Sequence, residues 1–212
     1  MDYGIANGFM MISTSLRHSM TAATDYDITG IELTDEQYTV DQSLFRNRYT
    51  VRDAAGTTVL KSKQKMLKMK EEFPFVDANG TIVFTVKASG ILDVAGKYLL
   101  TDAQTGKDLV ILDNDYSLLQ DTWTIRDSET GATLAKITSR GALATLARKK
   151  LPLSGLIQYK YEITDTDSGH VGTIRSKLSL RDRYEITIDD ASTVPKEPIV
   201  AAAIVIDAIQ GN

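Results

Sequence analysis

The sequence predicts a mainly β fold: a closed antiparallel barrel of about twelve strands, built from repeated hairpins and enclosing a hydrophobic C-terminal α-helix. Three observations predict this fold. A strand pattern recurs along the chain, a turn pattern follows most of these strands at nearly constant spacing, and one almost uncharged segment lies near the end.

The recurring strand pattern places an aromatic residue, a polar residue, an aliphatic residue and a second polar residue in succession. Such alternation puts the aromatic and aliphatic side chains on one face of a half-buried strand and the polar side chains on the other. It occurs at Tyr38-Thr-Val-Asp, Tyr49-Thr-Val-Arg, Trp123-Thr-Ile-Arg, Tyr161-Glu-Ile-Thr and Tyr184-Glu-Ile-Thr.

Tight turns are predicted after most of these strands, where an Asp is followed three or four residues later by a Gly. The Asp side chain bonds the downstream backbone and the Gly supplies the positive φ of a hairpin turn. The pairs are Asp53 and Gly56, Asp77 and Gly80, Asp102 and Gly106, Asp127 and Gly131, and Asp165 and Gly169. The turn glycines are 24, 26, 25 and 38 residues apart, so the last interval contains an insertion, which we place around Gly141 to Leu153.

A helix is predicted over about 198–210, because the segment begins at Pro198, ends at Gly211 and contains one charged residue, Asp207. A helix that is apolar on every side belongs in a core or a membrane. At roughly 18 Å it is shorter than a bilayer requires, so we expect it to fill the barrel. The domain organisation that follows is an N-terminal tail or strap over 1–30 and one barrel domain over 31–212.

The chain resembles the LURP-one-related family in three places. They are the stretch from Tyr38 to Gly56, the return Lys61-Ser-Lys-Gln-Lys, and the closing Lys177-Leu-Ser-Leu-Arg-Asp-Arg-Tyr-Glu-Ile followed by Ile199 to Asp207. That family is similar in fold to the tubby C-terminal domain and to phospholipid scramblases. The resemblance implies a twelve-stranded barrel around a central helix. It implies less about activity, since tubby domains are associated with phosphoinositide-rich membranes and scramblases with bilayers.

Composition excludes several function classes. The net charge is −4, so the overall field does not recruit nucleic acid or an anionic membrane, and any such binding must be local. With no cysteine, the chain has no disulfide, thiolate metal site or cysteine nucleophile, which fits the cytoplasm. Neither a signal peptide nor a transmembrane segment is indicated.

Catalytic patterns are not found, and we expect no cofactor, no metal site and no enzymatic activity. The two histidines, His18 in the tail and His170 in a turn, are hard to assemble into a supported base. The stretch Asp165 to Gly169 resembles the start of a calcium loop, but Ser176 stands where a bidentate Glu is needed, and a turn explains it. We also interpret Asp113-Asn-Asp115 as a turn.

One candidate binding site is a run of lysines, Lys61, Lys63, Lys65, Lys68 and Lys70. Alternation places the first three on one strand face, where they could hold phosphate groups of anionic lipids. We favour the simpler interpretation, a solvated outer face of the barrel, on which lysine also discourages edge pairing. A second basic patch, Arg148-Lys149-Lys150, lies in the insertion.

Asp207 is a candidate buried charge of structural importance. If it faces the barrel wall, it requires a cation or several hydrogen bonds, and we expect an Arg or Lys partner from an inward position. If it lies at the mouth of the helix, it is hydrated. Neither position makes it catalytic, because the helix fills the space a substrate would occupy.

Three functions remain open at this point. The preferred one is a non-enzymatic cytoplasmic binding or regulatory module, peripheral at the membrane, that contacts anionic lipid headgroups. The alternatives are a structural or protein-interaction barrel without a small ligand, and an enzyme that uses carboxylates on the barrel rim. The sequence indicates neither the partner nor the oligomeric state.

Overall fold

The computed structural model describes residues 26–43, 48–67, 70–89, 96–116, 121–140, 159–177, 183–189 and 194–210. These residues form a single antiparallel sheet of thirteen strand segments and one helix. The bounds are β1 Gln37–Gln42, β2 Arg48–Arg52, β3 Thr58–Lys63, β4 Lys65–Leu67, β5 Lys70–Val76, β6 Ile82–Ala88, β7 Lys97–Asp102, β8 Asp108–Tyr116, β9 Asp121–Asp127, β10 Thr133–Ser139, β11 Lys160–Thr164, β12 His170–Lys177, β13 Arg183–Ile188 and α1 Lys196–Gln210.

The sheet is closed. Neighbouring strands along the chain pair throughout, β1 pairs with β13, and β3 pairs with β5 through Lys61 opposite Val76 and Ser62 opposite Phe75. Segment β4 continues β3 in the same register, because Lys65 lies opposite Glu72. The two segments are therefore one interrupted strand, and the predicted barrel of twelve strands around a C-terminal helix is confirmed.

Proline causes the interruption. The register places Pro74 of β5 opposite Lys63. The carbonyl of Pro74 accepts a hydrogen bond from Ser62 Oγ at 2.9 Å, so this residue directs its main-chain groups toward β3. Since a strand residue points N–H and C=O to the same neighbour and proline has no N–H, the ladder lacks a donor here. The seam that closes the barrel is thus its least regular pairing.

Helix α1 lies inside the barrel, as its composition predicts. Residues from Ile199 to Ile206 are all at most 3% exposed, on every side of the helix. The inward aromatic and aliphatic residues of the recurring strand pattern surround it, among them Tyr38, Val40, Trp123 and Ile125. The helix begins at Lys196, two residues before the predicted start. Pro198 is accepted in the first turn because N–H groups there have no partner within the helix.

The Asp and Gly turns all lie at one end of the barrel, which we call the turn end. In the turn after β2, Asp53 Oδ1 accepts the backbone N–H of Thr57 at 2.7 Å, and Gly56 has a φ of 83°. The fifth turn differs from the prediction, because Ser168 takes the positive φ of 66°. Gly169 is needed for space instead: a Cβ there would lie 2.6 Å from Asp165 Oδ2.

The segment 26–36 crosses the turn end as a strap. Its Ile28 and Leu33 are buried in the core. Thr29 donates its N–H to Asp102 Oδ2 at 2.7 Å, and Leu33 donates its N–H to Glu197 Oε1 at 2.6 Å. The strap therefore joins a hairpin turn to the first turn of α1.

The interpretation of Asp113-Asn-Asp115 as a turn is wrong. All three residues lie inside β8, where Asn114 faces the barrel interior and Asp113 lies on the outer side. Asp113 Oδ2 is 3.3 Å from Arg126 Nε of the neighbouring β9. A cross-strand ion pair, and not turn geometry, accounts for the carboxylate.

The tail residues 1–25, the insertion with Arg148, Lys149 and Lys150, and His18 lie outside the described residues.

Candidate functional site

The first three residues of the lysine run project from the outer face of the barrel at its seam. Lys61, Lys63 and Lys65 are exposed, whereas Ser62 and Gln64 between them are buried. Lys68 lies outside the described residues. Lys70 is the first residue of β5, and only its backbone is described.

A fourth cation, Arg48, joins this row from the neighbouring strand. The register of β2 and β3 places Arg48 directly opposite Lys63, and Thr50 opposite Lys61. Like charges directly opposite each other destabilise an antiparallel pair. The register therefore places two cations side by side on the outer face, as it also does with Lys160 and Arg175 of β11 and β12. We call Arg48, Lys61, Lys63 and Lys65 the basic strip.

Arg48 was not among the residues selected from the sequence, although a signal for it was present. The turn from Asp53 to Gly56 sets the register of the β2–β3 hairpin, because its length determines which residues lie opposite each other. Counting outward from this turn leads to Lys63 opposite Arg48. The count needs the bulge at Arg52, where the register shifts by one residue.

A groove of about 250 Å³ runs along the basic strip. Arg48, Thr50, Lys61 and Lys63 contribute to its lining from β2 and β3. Pro74 and Val76 of β5 form an apolar part of the surface. The groove lies where the seam is least regular, so cationic side chains surround a shallow apolar depression.

The cations of the strip differ from many others on the barrel in forming no ion pair with a described residue, although Lys65 lies opposite Glu72, which is paired with Lys87. Among the described residues, no carboxylate forms an ion pair with any member of the basic strip. By contrast, Arg52 lies 3.4 Å from Asp41, and Arg126 lies 3.3 Å from Asp113. The strip is thus a local positive region on a protein whose net charge is negative.

Asp207 lies near the opposite end of the helix from the strap, and it contacts the barrel wall. Its Oδ1 accepts a hydrogen bond from the Tyr159 hydroxyl at 3.1 Å. Burial raises the pKa of the adjacent Tyr184 hydroxyl, and the charges of Asp207 and Tyr159 raise it further. The described partner is therefore a tyrosine hydroxyl, and the ion pair expected from the sequence stays a prediction.

His170, which the sequence places in a turn, is the first residue of β12 and is held between two carboxylates on the surface. Its Nε2 lies 2.9 Å from Asp189 Oδ2, and its Nδ1 lies 3.3 Å from Glu162 Oε1. Each ring nitrogen thus faces one acid, and Glu162 also accepts a hydrogen bond from Arg140 Nε at 2.6 Å. Within the described part of the chain, no cluster of three or more histidine, aspartate or glutamate side chains is arranged to bind a metal ion.

The carboxylate of Asp165 is used by its own turn. Its Oδ1 accepts the backbone N–H groups of Asp167 at 2.9 Å and Gly169 at 2.7 Å. These bonds account for the calcium-like spacing of acids in this segment.

In the described ranges, no helix, α1 included, is long and apolar enough to cross a bilayer.

Comparison with known proteins identifies the fold family. The X-ray structure of a protein from Arabidopsis thaliana superposes with a TM-score of 0.53 at 10% sequence identity, covering 83% of this chain and 93% of that one. At this identity the likeness concerns the fold alone. No curated protein matches the sequence significantly. The family model for LURP-one-related proteins matches residues 58–207, which include β3 and most of α1, and the chain therefore belongs to the LURP-one-related family.

Proposed function

We propose that this protein is a non-enzymatic cytoplasmic binding module that contacts anionic lipid headgroups through the basic strip. The observation that carries the proposal is the juxtaposition of Arg48 and Lys63, like charges directly opposite each other with no acidic partner among the described residues. An external anion would remove the repulsion between them, since each phosphate oxygen can accept hydrogen bonds from both side chains.

The size of the expected effect is sufficient for reversible binding. Each Lys or Arg near an anionic bilayer contributes about 1 kcal/mol, so the four cations of the strip together contribute about 4 kcal/mol, or roughly a thousandfold in affinity. Exposed charges of this kind contribute little to the stability of the fold. The strip is therefore better explained by binding than by folding.

The groove supports contact with a small group and not with a whole lipid. Its volume of about 250 Å³ lies below the range of about 300–1,000 Å³ typical of sites that enclose drug-sized ligands. A phosphorylated headgroup, with its charged oxygens on Arg48 and Lys63, fits a depression of this size. The acyl chains would remain in the bilayer.

A non-enzymatic role agrees with the placement of α1. The helix fills the lumen, where many barrel proteins keep a ligand or substrate. The cytoplasmic location is proposed from the lack of cysteine in the sequence.

Co-sedimentation with vesicles tests the proposal. Wild-type protein is mixed with vesicles of phosphatidylcholine alone, or with phosphatidylserine or a phosphoinositide added, at low and at physiological salt. We expect binding only to the anionic vesicles, with affinity that falls as salt rises. Wild-type protein that remains in the supernatant with every anionic vesicle at low salt would refute the lipid function and leave the protein-interaction barrel as the better description.

A further inference from the structure

Charge is distributed unevenly between the two ends of the barrel. The described segments at the turn end are 26–36, 53–57, 77–81, 102–107, 127–132, 165–169 and 194–197. In these segments acidic residues outnumber basic ones by twelve to two, the basic ones being Lys107 and Lys196. Many of these acids, such as Asp53 and Asp77, accept backbone N–H groups of their turns, so hairpin chemistry places them there.

The opposite end of the barrel carries a ring of cations. Among the described side chains, basic residues stand at this end of six strands, either as the terminal residue of the strand or as the residue just beyond it, and all of them reach solvent at least in part. We call these residues the collar: Arg48, Lys97, Arg140, Lys160, Lys177 and Arg183. Acids also occur here: Asp121 opens β9 and is 5% exposed, while Asp115 and Asp41, each one residue inside the end of its strand, reach solvent.

Half of the collar is neutralised and half is not. Arg140 bonds Glu162, Lys177 bonds Glu185, and Arg183 bonds Asp41. Arg48, Lys97 and Lys160 have no ion pair with any described residue. Since Arg48 also belongs to the basic strip, the strip and the collar are continuous.

The dipole of helix α1 is oriented opposite to the charge asymmetry of the barrel that surrounds it. Its N-terminus, with partial positive charge, lies beside Glu197 and the strap at the acidic turn end. Its C-terminal part, marked by the bond from Tyr159 to Asp207, lies at the collar end, where cations are favourable. The N-terminus of α1 therefore lies close to acidic residues, and its C-terminal part lies at the end of the barrel that carries the collar.

We propose that the protein docks end-on, with the collar on an anionic bilayer and the turn end pointing away from it. This inference rests on the proposed function and adds the orientation. A seven-residue strand such as β10 spans about 23 Å, or roughly 18 Å along the axis of a barrel with tilted strands. Electrostatic interactions are screened over about 8 Å at physiological salt. End-on docking thus keeps the turn-end acids beyond the screening length, whereas a barrel lying on its side would bring some of them within it.

Single cysteines allow the orientation to be measured, because the natural chain contains none. Ser89→Cys places a probe at the collar end, Ala55→Cys at the turn end and Lys136→Cys on the outer wall between them; all three positions are exposed. Each variant is labelled with a polarity-sensitive fluorophore and mixed with phosphatidylcholine vesicles containing phosphatidylserine and a lipid-borne quencher. We expect strong quenching at position 89 and little at positions 55 and 136. Equal quenching at 55 or 136 would overturn the end-on orientation.

Charge variants give an independent test on the side of the barrel away from the strip. Lys97→Gln with Lys160→Gln removes two collar cations that form no ion pair with a described residue, and Lys107→Gln with Lys136→Gln, which removes two exposed cations elsewhere, is a control with the same change in net charge. We expect the collar variant to bind anionic vesicles at least tenfold more weakly than the control. If the two variants bind alike while wild type binds, the orientation is wrong and the lipid function stands. If wild-type protein does not bind anionic vesicles, both proposals fail. Binding of duplex DNA by the collar in place of vesicles would also refute both proposals.

Discussion

The hydroxyl of Tyr159 donates a hydrogen bond to Asp207 Oδ1 at 3.1 Å, which connects the barrel wall to the last turns of the enclosed helix. This bond gives a partner to the carboxylate in an otherwise uncharged stretch of the helix, and we expect it to fix the rotation of the helix about its axis. Asp207 follows directly after residues that are at most 3% exposed, so its carboxylate depends on such a partner.

Substitution of Asp207 distinguishes a hydrogen bond from an ion pair. Asp207→Asn keeps an acceptor for Tyr159, so we expect a loss in the free energy of unfolding below about 1 kcal/mol. Asp207→Ala strands the tyrosine hydroxyl and should cost about 1 to 3 kcal/mol, a loss that Tyr159→Phe in the same chain should reduce. Urea unfolding measures all three variants. A cost of about 3 to 5 kcal/mol for Asp207→Asn would contradict the hydrogen-bond account and indicate the ion pair with a cation.

Removal of the helix should abolish cooperative folding. A chain truncated after Asp190 leaves a lumen that the inward side chains cannot fill, so we expect no sharp thermal transition. Ile204→Asp places a charge where exposure is 0% and should be almost as damaging, whereas the matched Ile204→Val should cost only about 0.5 to 1.5 kcal/mol. Calorimetry checks each. A truncated chain that melts sharply near the wild-type temperature would show that the barrel folds without its helix.

Asp102 should stabilise the strap in a pH-dependent manner. Burial would raise the pKa of its carboxyl, but hydrogen bonds from the backbone of Thr105, Thr29 and Gln104 lower it to about 2. The folded pKa lies below the ordinary value of 3.8, so the stabilisation is present above pH 4 and is lost as pH falls toward 2. We expect Asp102→Asn to cost about 2 kcal/mol at pH 7 and much less near pH 2.5, as measured by urea unfolding.

Asp77→Asn provides the control for this substitution. Asp77 accepts the N–H groups of Asn79 and Thr81 in an equivalent turn, and its described bonds lie within that turn. We expect a smaller loss than for Asp102→Asn. Equal losses would mean that the turn alone, without the strap, accounts for the effect.

Glu197 should make the stability of the protein depend on pH in the direction opposite to that for Asp102. Burial raises the pKa of its carboxyl, as do the charges of Asp27 and Glu32, although the N–H of Leu33 opposes this. Because the folded protein holds this proton more tightly than the unfolded chain, its contribution is fullest at low pH and is lost as pH rises through the folded pKa. Glu197→Gln keeps an acceptor for Leu33, so we expect its stability relative to wild type to improve as pH rises from 4 to 8. A relative stability that declines over this range would contradict the assignment.

Much of the fold could be predicted from local patterns. The alternation at Tyr38, Trp123 and Tyr184 determines which side chains face inward, and an Asp with a Gly three or four residues later marks each tight turn, since both signals depend on neighbours in sequence. The interruption at Gln64 was not predicted, because it depends on Pro74 in the facing strand. Long-range pairing of this kind leaves no local pattern.

The candidate site was only partly predictable for the same reason. The lysine run is visible as a sequence, but the register that places Arg48 opposite Lys63 depends on a bulge at Arg52. The Tyr159 partner of Asp207 could not be foreseen, since it lies 48 residues away and precedes β11. The separation of charge between the ends of the barrel becomes visible only once the five Asp and Gly turns are known to lie at the same end.

The measurement that tests the central claim most directly is vesicle binding by a strip variant. Lys61→Gln, Lys63→Gln and Lys65→Gln together remove three of the four strip cations, while the corresponding triple substitution by Arg keeps the charge at the same positions. With phosphatidylserine-containing vesicles over a salt series, we predict that the Gln variant binds at least a hundredfold more weakly than wild type with a shallower salt dependence, that the Arg variant binds like wild type, and that both unfold within about 1 kcal/mol of wild type. A Gln variant that is equally stable and binds as tightly as wild type would contradict the claim that the basic strip is the lipid-binding site.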